Sequence, residues 1–405
     1  METKTKFIPS GSVTAPLGFS AGATGARIKQ SAGDKLDLGI LCSEVPCAVA
    51  GVFTRSKIKA APVLLSQKRI QSGQAVALVV NSGCANAYTG EQGISDAAEM
   101  TALAAKKLNV SPEHVLVCST GVTGEPLPMD RIKEGIGSIN LSDEGGHELA
   151  QAIMTTDTVS KEVAVADSIG GSNFIIGGIA KGSGMIHPDM ATLLCFITTD
   201  AAVDVDFLKA TLKKAMDISF NMVSVDGDTS PSDTVLIMAN GKAGNKPILA
   251  GSQQADVFQQ ALDQVCIHLA KCVARDGEGA SKLIEVTVGG AATVAEARMA
   301  ARTIVGSPLV KSAIYGNDPN WGRVIAALAR SGAEVIESKI DLYIGGHCLL
   351  EAGSKMPYDD ESIIDELKNP EVSIKVKLNL GTADATAWGC DLTEEYVVIN
   401  SHYTT

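Results

Sequence analysis

The chain has 405 residues, of which 45% are hydrophobic and 20% are charged, a composition typical of a globular protein and not of a disordered one. Its length is too great for one compact core and predicts two or three domains. The net charge of −12 and the lack of a dense Lys/Arg cluster argue against a nucleic-acid-binding surface.

Nine cysteines are spread from Cys42 to Cys390 without a C-x-x-C pair, so the spacing does not predict a metal site. Most lie among apolar residues, as Cys195 does, and are predicted to be small buried residues in a reducing compartment. The N-terminus lacks the apolar segment of a signal peptide, and no later run is long enough to span a membrane. We therefore expect a soluble, cytoplasmic protein that makes no contact with a membrane.

After an N-terminal arm over residues 1–30, the first half of the chain shows a series of short apolar runs. The strands predicted there are Leu36–Cys42, Ala48–Thr54, Ala75–Val80, Val115–Val117, Glu162–Ala166 and Phe174–Ile179. A helix is predicted over Asp96–Leu108, with Ser95 as its N-cap. The strand at 115–117 leads into Ser-Thr-Gly-Val-Thr-Gly at 119–124. The free N–H groups of such a turn suit an anion or oxyanion, although a structural turn is the more frequent outcome.

The stretch from Lys181 to Thr192 is rich in glycine, is broken by Pro188, and runs directly into the apolar segment Leu193–Ile197. This arrangement predicts a hydroxyl at the first position of a buried strand. Such a threonine could attack the carbonyl that precedes it, cut the chain, and become an N-terminal nucleophile whose own amine is the base. An ordinary loop entering an ordinary strand is the alternative, and His187 fits a turn residue better than a base.

The second half of the chain begins with predicted helices over Val205–Ile218 and Gln254–Ala274. Between them, the acidic turn at 225–233 resembles a calcium loop but lacks its ligand spacing, so no metal is expected. From Ile284 onward, alternating strands and an Ala-rich helix predict a second, smaller α+β unit that ends with a strand at Tyr396–Ile399. The fold class is therefore α/β (α+β).

Several common catalytic signatures are absent from the sequence. It has no Walker A loop, no strand-linked G-x-G-x-x-G, no H-E-x-x-H and no G-x-S-x-G. The six histidines are scattered, so a hydroxyl nucleophile needs a base other than histidine. An α-amine with a pKa of about 7.7–8.0 suits that role near neutral pH.

Taken together, an ordered set of motifs is similar to ornithine acetyltransferase, the self-cleaving glutamate N-acetyltransferase of arginine biosynthesis. The motifs are Ser-Thr-Gly-Val-Thr-Gly, Lys-Gly-Ser-Gly-Met-Ile, Pro-Asp-Met-Ala-Thr-Leu-Leu, Asp-Gly-Asp-Thr-Ser, Gly-Glu-Gly-Ala-Ser-Lys, Asp-Pro-Asn-Trp-Gly-Arg and the terminal Ile-Asn-Ser-His-Tyr-Thr-Thr. They occur in order from about residue 9 to the last residue. The resemblance therefore covers nearly the whole chain.

This resemblance implies specific roles for residues of this chain. The self-cleavage bond would be Ala191–Thr192, with Thr192 as the nucleophile and Thr120 and Gly121 as the oxyanion hole. The residues that would contact substrate are Thr156, Lys181, Thr192, Glu278, Asn400 and Thr405. An α-carboxylate is a natural partner for Lys181, and Glu278 could bind the cationic side of ornithine.

The resemblance also implies the architecture and the reaction. It implies a layered αββα-like fold of the self-processing N-terminal-nucleophile type over residues 1–283, cut into an alpha chain (1–191) and a beta chain that begins at 192, with the smaller domain at 284–405. The reaction would move an acetyl group from N2-acetylornithine to glutamate through an acetyl-threonine, in a ping-pong sequence. No cofactor is expected, acetyl-CoA is an additional candidate donor, and two copies of each fragment would form a heterotetramer.

Two other functions remain open at the level of sequence. The same self-cleaving scaffold could serve an amidase or aminopeptidase that uses water as acceptor. A non-catalytic binding protein that retains the fold is the alternative from another class, and the intact Thr120, Gly121 and Thr192 count against it.

Overall fold

A computed structural model of the chain describes residues 5–29, 35–187 and 193–402. The described residues form eleven α-helices and sixteen strands. The helices are α1 (Ala61–Arg69), α2 (Gly90–Leu108), α3 (Met129–Ser138), α4 (Gly146–Ala152), α5 (Val205–Ile218), α6 (Gln253–Arg275), α7 (Val294–Val305), α8 (Pro308–Tyr315), α9 (Trp321–Ala329), α10 (Asp360–Leu367) and α11 (Glu394–His402).

The strands belong to two sheets, so the mixed α/β class predicted from the sequence is confirmed. They are β1 (Lys6–Phe7), β2 (Phe19–Thr24), β3 (Leu38–Phe53), β4 (Gln74–Asn81), β5 (Val115–Ser119), β6 (Lys161–Ile169), β7 (Ser172–Lys181), β8 (Leu194–Thr199), β9 (Val223–Ser224), β10 (Thr234–Ala239), β11 (Leu283–Ala291), β12 (Asp341–Ile344), β13 (His347–Glu351), β14 (Ser354–Lys355), β15 (Glu371–Lys377) and β16 (Ala383–Cys390).

The first sheet has nine strands in the order β1-β6-β7-β8-β10-β3-β4-β5, with β2 paired to β3. The β8 and β10 strands are parallel neighbours that start side by side, with Leu194 opposite Thr234, and β7 ends beside them with Lys181 opposite Leu194. The β4 and β5 strands are also parallel and end side by side, with Asn81 opposite Ser119. These strand ends carry most of the residues that form the site described below.

Both faces of this sheet are buried. In β10, Val235 and Ile237 belong to one apolar cluster while Leu236 and Met238 belong to another, which explains why this strand is a continuous apolar run and not an alternating one. Helix α5 packs Phe207 on the first cluster, and Asp204 caps the helix by accepting hydrogen bonds from two of its first N–H groups.

Helix α6 connects the two sheets. It packs against β6 and β7 of the first sheet and against β9, β11 and β16 of the second. Its Phe258 is fully buried, with ring centroids 5.9 Å from Phe174 and 6.2 Å from Phe207. Truncating such a buried aromatic ring to alanine costs about 3–5 kcal/mol of stability. The core that supports the site is therefore continuous from one sheet to the other.

The second sheet has seven strands in the order β14-β13-β12-β15-β11-β16-β9, and α7 packs against its β11 and β16 strands. The short strand β9 joins it from an earlier part of the chain, and β11 begins at Leu283. The domain boundary at 283/284 and the division into alpha and beta chains stay predictions. Within the described residues, no helix is both long and apolar enough to cross a membrane.

Several elements differ from the sequence predictions. The strands predicted separately at Leu36–Cys42 and Ala48–Thr54 form one continuous strand, β3. The predicted strand at Tyr396–Ile399 is wrong, because these residues lie within α11. Val397 and Val398 suggested a strand but are exposed, while Glu394 and Glu395 in the first turn favour a helix start through the helix dipole. Helix α2 begins at Gly90 and not at Asp96, so Ser95 lies inside the helix and is not its cap.

Candidate active site

A cavity with about 680 Å³ of empty space lies where β7 ends and where β8 and β10 begin. The residues that line it are Thr120, Gly121, Thr155, Thr156, Lys181, Gly184, Met185, Ile186, Leu193, Leu194, Ser230, Ser232, Asp233, Glu278 and Asn400. Five residues predicted to bind substrate or an oxyanion therefore meet in one cavity: Thr120, Gly121, Thr156, Lys181 and Glu278. Asn400 joins them from the C-terminal helix α11.

Lys181 is the last residue of β7 and is buried at the cavity wall. Its Nζ donates one hydrogen bond, of 2.8 Å, to Thr155 Oγ1, and the described residues offer it no other acceptor within bonding distance. Burial lowers the pKa of Lys181, and the negative charge of Asp157 opposes that shift. The ammonium group thus keeps unused donors in a desolvated place, which is a favourable arrangement for binding a carboxylate.

A buried ion cluster lies behind Lys181. Lys161 Nζ is 2.6 Å from both Asp157 Oδ1 and Asp276 Oδ2, and all three side chains are almost fully buried. Burial by itself would raise the pKa of Asp157, but the charges of Lys181 and Lys161 outweigh it and hold that pKa at about 2. Asp157 also accepts a 2.7 Å hydrogen bond from the N–H of Gly182, so the cluster fixes the backbone directly after Lys181.

The turn at 119–124 interlocks with the turn that follows β4. Val122 N–H donates to Gly83 O at 3.2 Å, and Ala85 N–H donates to Val122 O at 2.8 Å. The N–H of Thr120 is taken by Asn81 O at 3.0 Å. These bonds between two strand ends hold the turn rigid from outside the cavity.

Two donors of this turn are left for a ligand. Among the described residues, neither the N–H of Gly121 nor the hydroxyl of Thr120 has a hydrogen-bond partner, and both residues line the cavity. Gly121 has a φ of +124°, and a Cβ placed on it would lie 2.7 Å from Cys84 N. Only glycine fits here, because the turn passes so close to the backbone after β4.

The loop after Lys181 is held by the acidic turn at 225–233. The carboxylate of Asp226 accepts hydrogen bonds from Met185 N–H at 2.6 Å and Ile186 N–H at 2.9 Å. Met185 has a φ of +55°, a conformation that costs a non-glycine residue energy and that these bonds help to maintain. The acidic turn is therefore a clamp on this loop. None of the described residues forms a cluster of three or more potential metal ligands.

Glu278 follows α6 and meets the C-terminal helix α11 at the cavity. Its Oε2 accepts a 2.8 Å hydrogen bond from Asn400 Nδ2, and Asn400 also donates to Tyr396 O at 2.9 Å. A Cβ on Gly184 would fall well inside 3.0 Å of the Glu278 carboxylate. The absence of a side chain at 184 thus makes room for this carboxylate at the wall.

Comparison with known proteins decides the family of this chain. The ArgJ family matches residues 20–405. An arginine biosynthesis bifunctional protein from Dehalococcoides mccartyi is 52% identical over the full length of both chains. A protein of the same name from Symbiobacterium thermophilum is 53% identical and covers 98% of this chain and 99% of its own. The chain belongs to the ArgJ family.

One solved structure agrees with this result. The crystal structure of an arginine biosynthesis bifunctional protein from Bacillus halodurans is 46% identical, with a TM-score of 0.51, and covers 51% of this chain and 98% of its own. An ornithine acetyltransferase from Mycobacterium tuberculosis, crystallised with ornithine, is 40% identical and covers 46% of this chain and all of its own, with a TM-score of 0.43. Because it belongs to the ArgJ family, the chain is an acyltransferase of arginine biosynthesis, and the family and enzyme class predicted from the sequence are confirmed.

Most of the predicted site residues meet in the cavity of this ArgJ-family chain. Thr120, Gly121, Thr156, Lys181, Glu278 and Asn400 all line the cavity. Thr156 Oγ1 lies 2.7 Å from Ser183 Oγ, which joins it to the loop after Lys181. Ala191, Thr192 and Thr405 lie outside the described residues. Leu193 and Leu194, which directly follow Thr192 in sequence, line the cavity.

Sequence reasoning missed four polar cavity residues: Thr155, Ser230, Ser232 and Asp233. The last three belong to the acidic turn, which the sequence analysis considered as a possible metal loop and as a family motif but not as part of the substrate site. Burial raises the pKa of Asp233 well above its ordinary value, and the hydrogen bonds of Ser230 and the charge of Lys181 offset only part of that shift. The match of Asp-Gly-Asp-Thr-Ser to the family was the signal that could have drawn attention to this turn.

His187 lies away from this cavity. It lines a separate groove together with Arg298, Arg302 and Arg330. Its Nδ1 is 2.9 Å from Ser224 Oγ, and its Nε2 is 3.0 Å from a guanidinium nitrogen of Arg302. Because a guanidinium can only donate, Nε2 is the acceptor and the ring is held as the neutral Nδ1–H tautomer. His187 thus fixes the end of the loop and does not reach the cavity wall.

Proposed function

We propose that the chain transfers an acetyl group from N2-acetylornithine to glutamate through an acetyl-enzyme on Thr192. The observation that carries this proposal is the cavity itself. It brings two unused oxyanion donors, a buried ammonium with spare donors and a carboxylate together beside Leu193, one residue after the proposed nucleophile.

The nucleophile is formed by cleavage of the Ala191–Thr192 bond. The freed α-amine of Thr192 then acts as the base that removes the proton from its own hydroxyl. The clamp of Asp226 on residues 185 and 186 supports this step, because it holds the chain rigid a few residues before the bond that breaks. Such rigidity favours an intramolecular attack by reducing the entropy lost on the way to the transition state.

In the first half-reaction, the threonine oxygen attacks the acetyl carbonyl. The N–H of Gly121 and the hydroxyl of Thr120 stabilise the oxyanion that forms, and loss of one such donor typically slows a reaction by about 10²–10³-fold. Ornithine then leaves, and as the C–N bond breaks its α-amine takes the proton that the Thr192 amine had removed from the hydroxyl. The acetyl group remains on Thr192 as an ester.

In the second half-reaction, the α-amine of glutamate attacks this ester and the Thr192 oxygen leaves. The Thr192 amine passes the proton from the attacking nitrogen to that oxygen, and N-acetylglutamate departs. Lys181 pairs with the α-carboxylate that both amino acids share, since its ammonium has donors to spare. Glu278, anchored by Asn400, accepts a hydrogen bond from the α-amino group, and Thr156 and Thr405 complete the contacts. Helix α11 contributes Asn400 to the cavity wall, and its position there reduces the competition of water for the ester.

Three finer points belong to the same proposal. The relatives are named bifunctional, which is in keeping with acetyl-CoA as a second acetyl donor. No cofactor takes part in the steps above. Two copies of each fragment assemble into a heterotetramer in the cytoplasm, as the family resemblance implies.

Intact-mass spectrometry of the enzyme incubated with N2-acetylornithine tests the proposal. We expect two fragments divided before Thr192, with one added acetyl group on the fragment that begins there, and loss of that group when glutamate is added. Thr192→Ala is expected to stay uncut and inactive. Release of free acetate in place of N-acetylglutamate would support an amidase instead, and an intact chain without an acetyl adduct would support a binding protein. Replacing the donor by acetyl-CoA tests the second activity.

A further inference from the structure

Two buried polar atoms at the cavity wall lack hydrogen-bond partners. They are Ser232 Oγ and Asp233 Oδ2, on residues that are only 6% and 3% exposed, and the described residues supply no partner to either atom. Buried polar atoms in folded proteins are nearly always paired, because an unpaired one costs about 1–3 kcal/mol. Both residues line the cavity, so a ligand bound there lies next to this pair of side chains.

This corner of the cavity is rigid. Thr234 N–H donates to Leu193 O at 2.8 Å, and Thr54 N–H donates to Asp233 O at 3.0 Å. Ala60 N–H donates to Pro231 O at 3.1 Å on the other side of Ser232. The backbone of the corner is therefore held by hydrogen bonds to three other positions of the chain.

Two charged side chains share the cavity with Asp233. Lys181 at the end of β7 attracts its carboxylate form, and Glu278 after α6 adds a second carboxyl group to the same space. Burial is the stronger influence and raises the pKa of Asp233 well above its ordinary value. Burial thus favours the protonated form of Asp233, and a cation beside it favours the ionised form.

The two amino acids of the proposed reaction differ only in the end of their side chains. Ornithine ends in an ammonium group, which only donates hydrogen bonds, whereas glutamate ends in a carboxylate, which only accepts them. A carboxyl group can meet both, because it accepts when ionised and donates when protonated. Lysine and arginine side chains cannot alternate in this way.

We propose that Ser232 and Asp233 form the subsite for the side-chain end of the substrate. Ionised Asp233 pairs with the ammonium of ornithine, and protonated Asp233 donates a hydrogen bond to the carboxylate of glutamate, with Ser232 adding a hydroxyl that can donate or accept. Asp233 releases its proton to water when the donor binds and takes one from water when glutamate replaces ornithine. This inference rests on the proposed function and assigns to it the residues that select both substrates.

The test compares two half-reactions in Asp233→Asn, a variant that keeps the shape of the side chain but can carry no charge. Acylation by N2-acetylornithine is expected to fall by about 10–100-fold in kcat/KM, the usual effect of losing a hydrogen bond to a charged group. Deacylation by glutamate is expected to change by less than about threefold, because the amide can still donate. With N2-acetylnorvaline, which lacks the ammonium, the variant and the wild type should acylate equally.

Asp263→Asn is the matched control. Asp263 lies on α6, outside the cavity lining, and burial likewise raises its pKa, to about 6. Both half-reactions should be unchanged in this variant. Should Asp233→Asn fail to fold or to cleave, Ser232→Ala is the second test: because its hydroxyl contacts both side-chain ends, acylation by N2-acetylornithine and deacylation by glutamate should both slow, whereas acylation by N2-acetylnorvaline should be unchanged.

The outcomes separate the two proposals. If the wild type forms no acetyl-enzyme from N2-acetylornithine, the proposed function itself fails. If the wild type does so but Asp233→Asn slows both half-reactions equally, or slows acylation by N2-acetylnorvaline just as much, the subsite is refuted and the function stands.

Discussion

The substitution Gly121→Ala tests the oxyanion turn. The added Cβ would lie 2.7 Å from both Gly83 Cα and Cys84 N, and these neighbours are backbone atoms that cannot rotate away. The φ of +124° adds a conformational cost of about 1–3 kcal/mol for a residue with a side chain. The turn must therefore shift, and the N–H of residue 121 shifts with it.

We expect kcat of the processed Gly121→Ala enzyme to fall by about 10²–10³-fold, the effect of losing one oxyanion donor. Self-cleavage should slow as well, if the same donors serve both reactions. The assay is acetyl transfer from N2-acetylornithine to glutamate, normalised to the cleaved fraction measured by mass spectrometry. A thermal unfolding curve shows how much of the change comes from stability.

Gly124→Ala is the control within the same turn. Gly124 also has a positive φ, of +86°, but nothing lies within 4 Å of a Cβ placed there, and its N–H donates to Ala87 O. It should share the conformational cost of roughly 1–2 kcal/mol but leave kcat nearly unchanged. Equal rate losses in the two variants, or a fully active Gly121→Ala enzyme, would refute the assignment of the donor.

Three further predictions concern the surroundings of Lys181 and Glu278. Gly184→Ala should push the Glu278 carboxylate away from Asn400 and raise KM for both substrates by about tenfold or more. Gly137→Ala on α3 is the control: no atom lies within 4 Å of a Cβ placed there, so steady-state kinetics should be unchanged. Lys161→Met should lower the free energy of unfolding, measured in urea, by about 3–5 kcal/mol, because two buried carboxylates lose their partner. Lys209→Met breaks an exposed ion pair with Asp206 and should lower the same free energy by less than about 1 kcal/mol. Because the folded-state pKa of Asp157 is depressed to about 2 from an ordinary value of 3.8, its contribution to stability is complete above pH 4 and is lost as the pH falls towards 2. The urea midpoint should drop over that window in the wild type and less steeply in Asp157→Asn.

Much of the fold could be predicted from the sequence, where local pattern and tertiary environment agree. Helix α5 was predicted with its observed bounds, because its apolar residues recur at helical spacing and its end is set by a break in that pattern. The terminal segment was mispredicted, because Val397 and Val398 favour a strand only when a sheet is available to receive them. Among the described residues no strand pairs with this segment, and it forms a helix whose Asn400 lines the cavity.

The sequence by itself determined the family, through ordered motifs, and with it the list of candidate residues from Thr120 to Asn400. Only the tertiary structure decided that Gly121 has a free N–H while Thr120 has only its hydroxyl to offer, since Asn81 from another strand takes the N–H of Thr120. It also decided that the acidic turn clamps the loop after Lys181 and places Asp233 at the cavity wall. Hydrogen bonds between segments distant in sequence make these distinctions, and a one-dimensional pattern does not contain them.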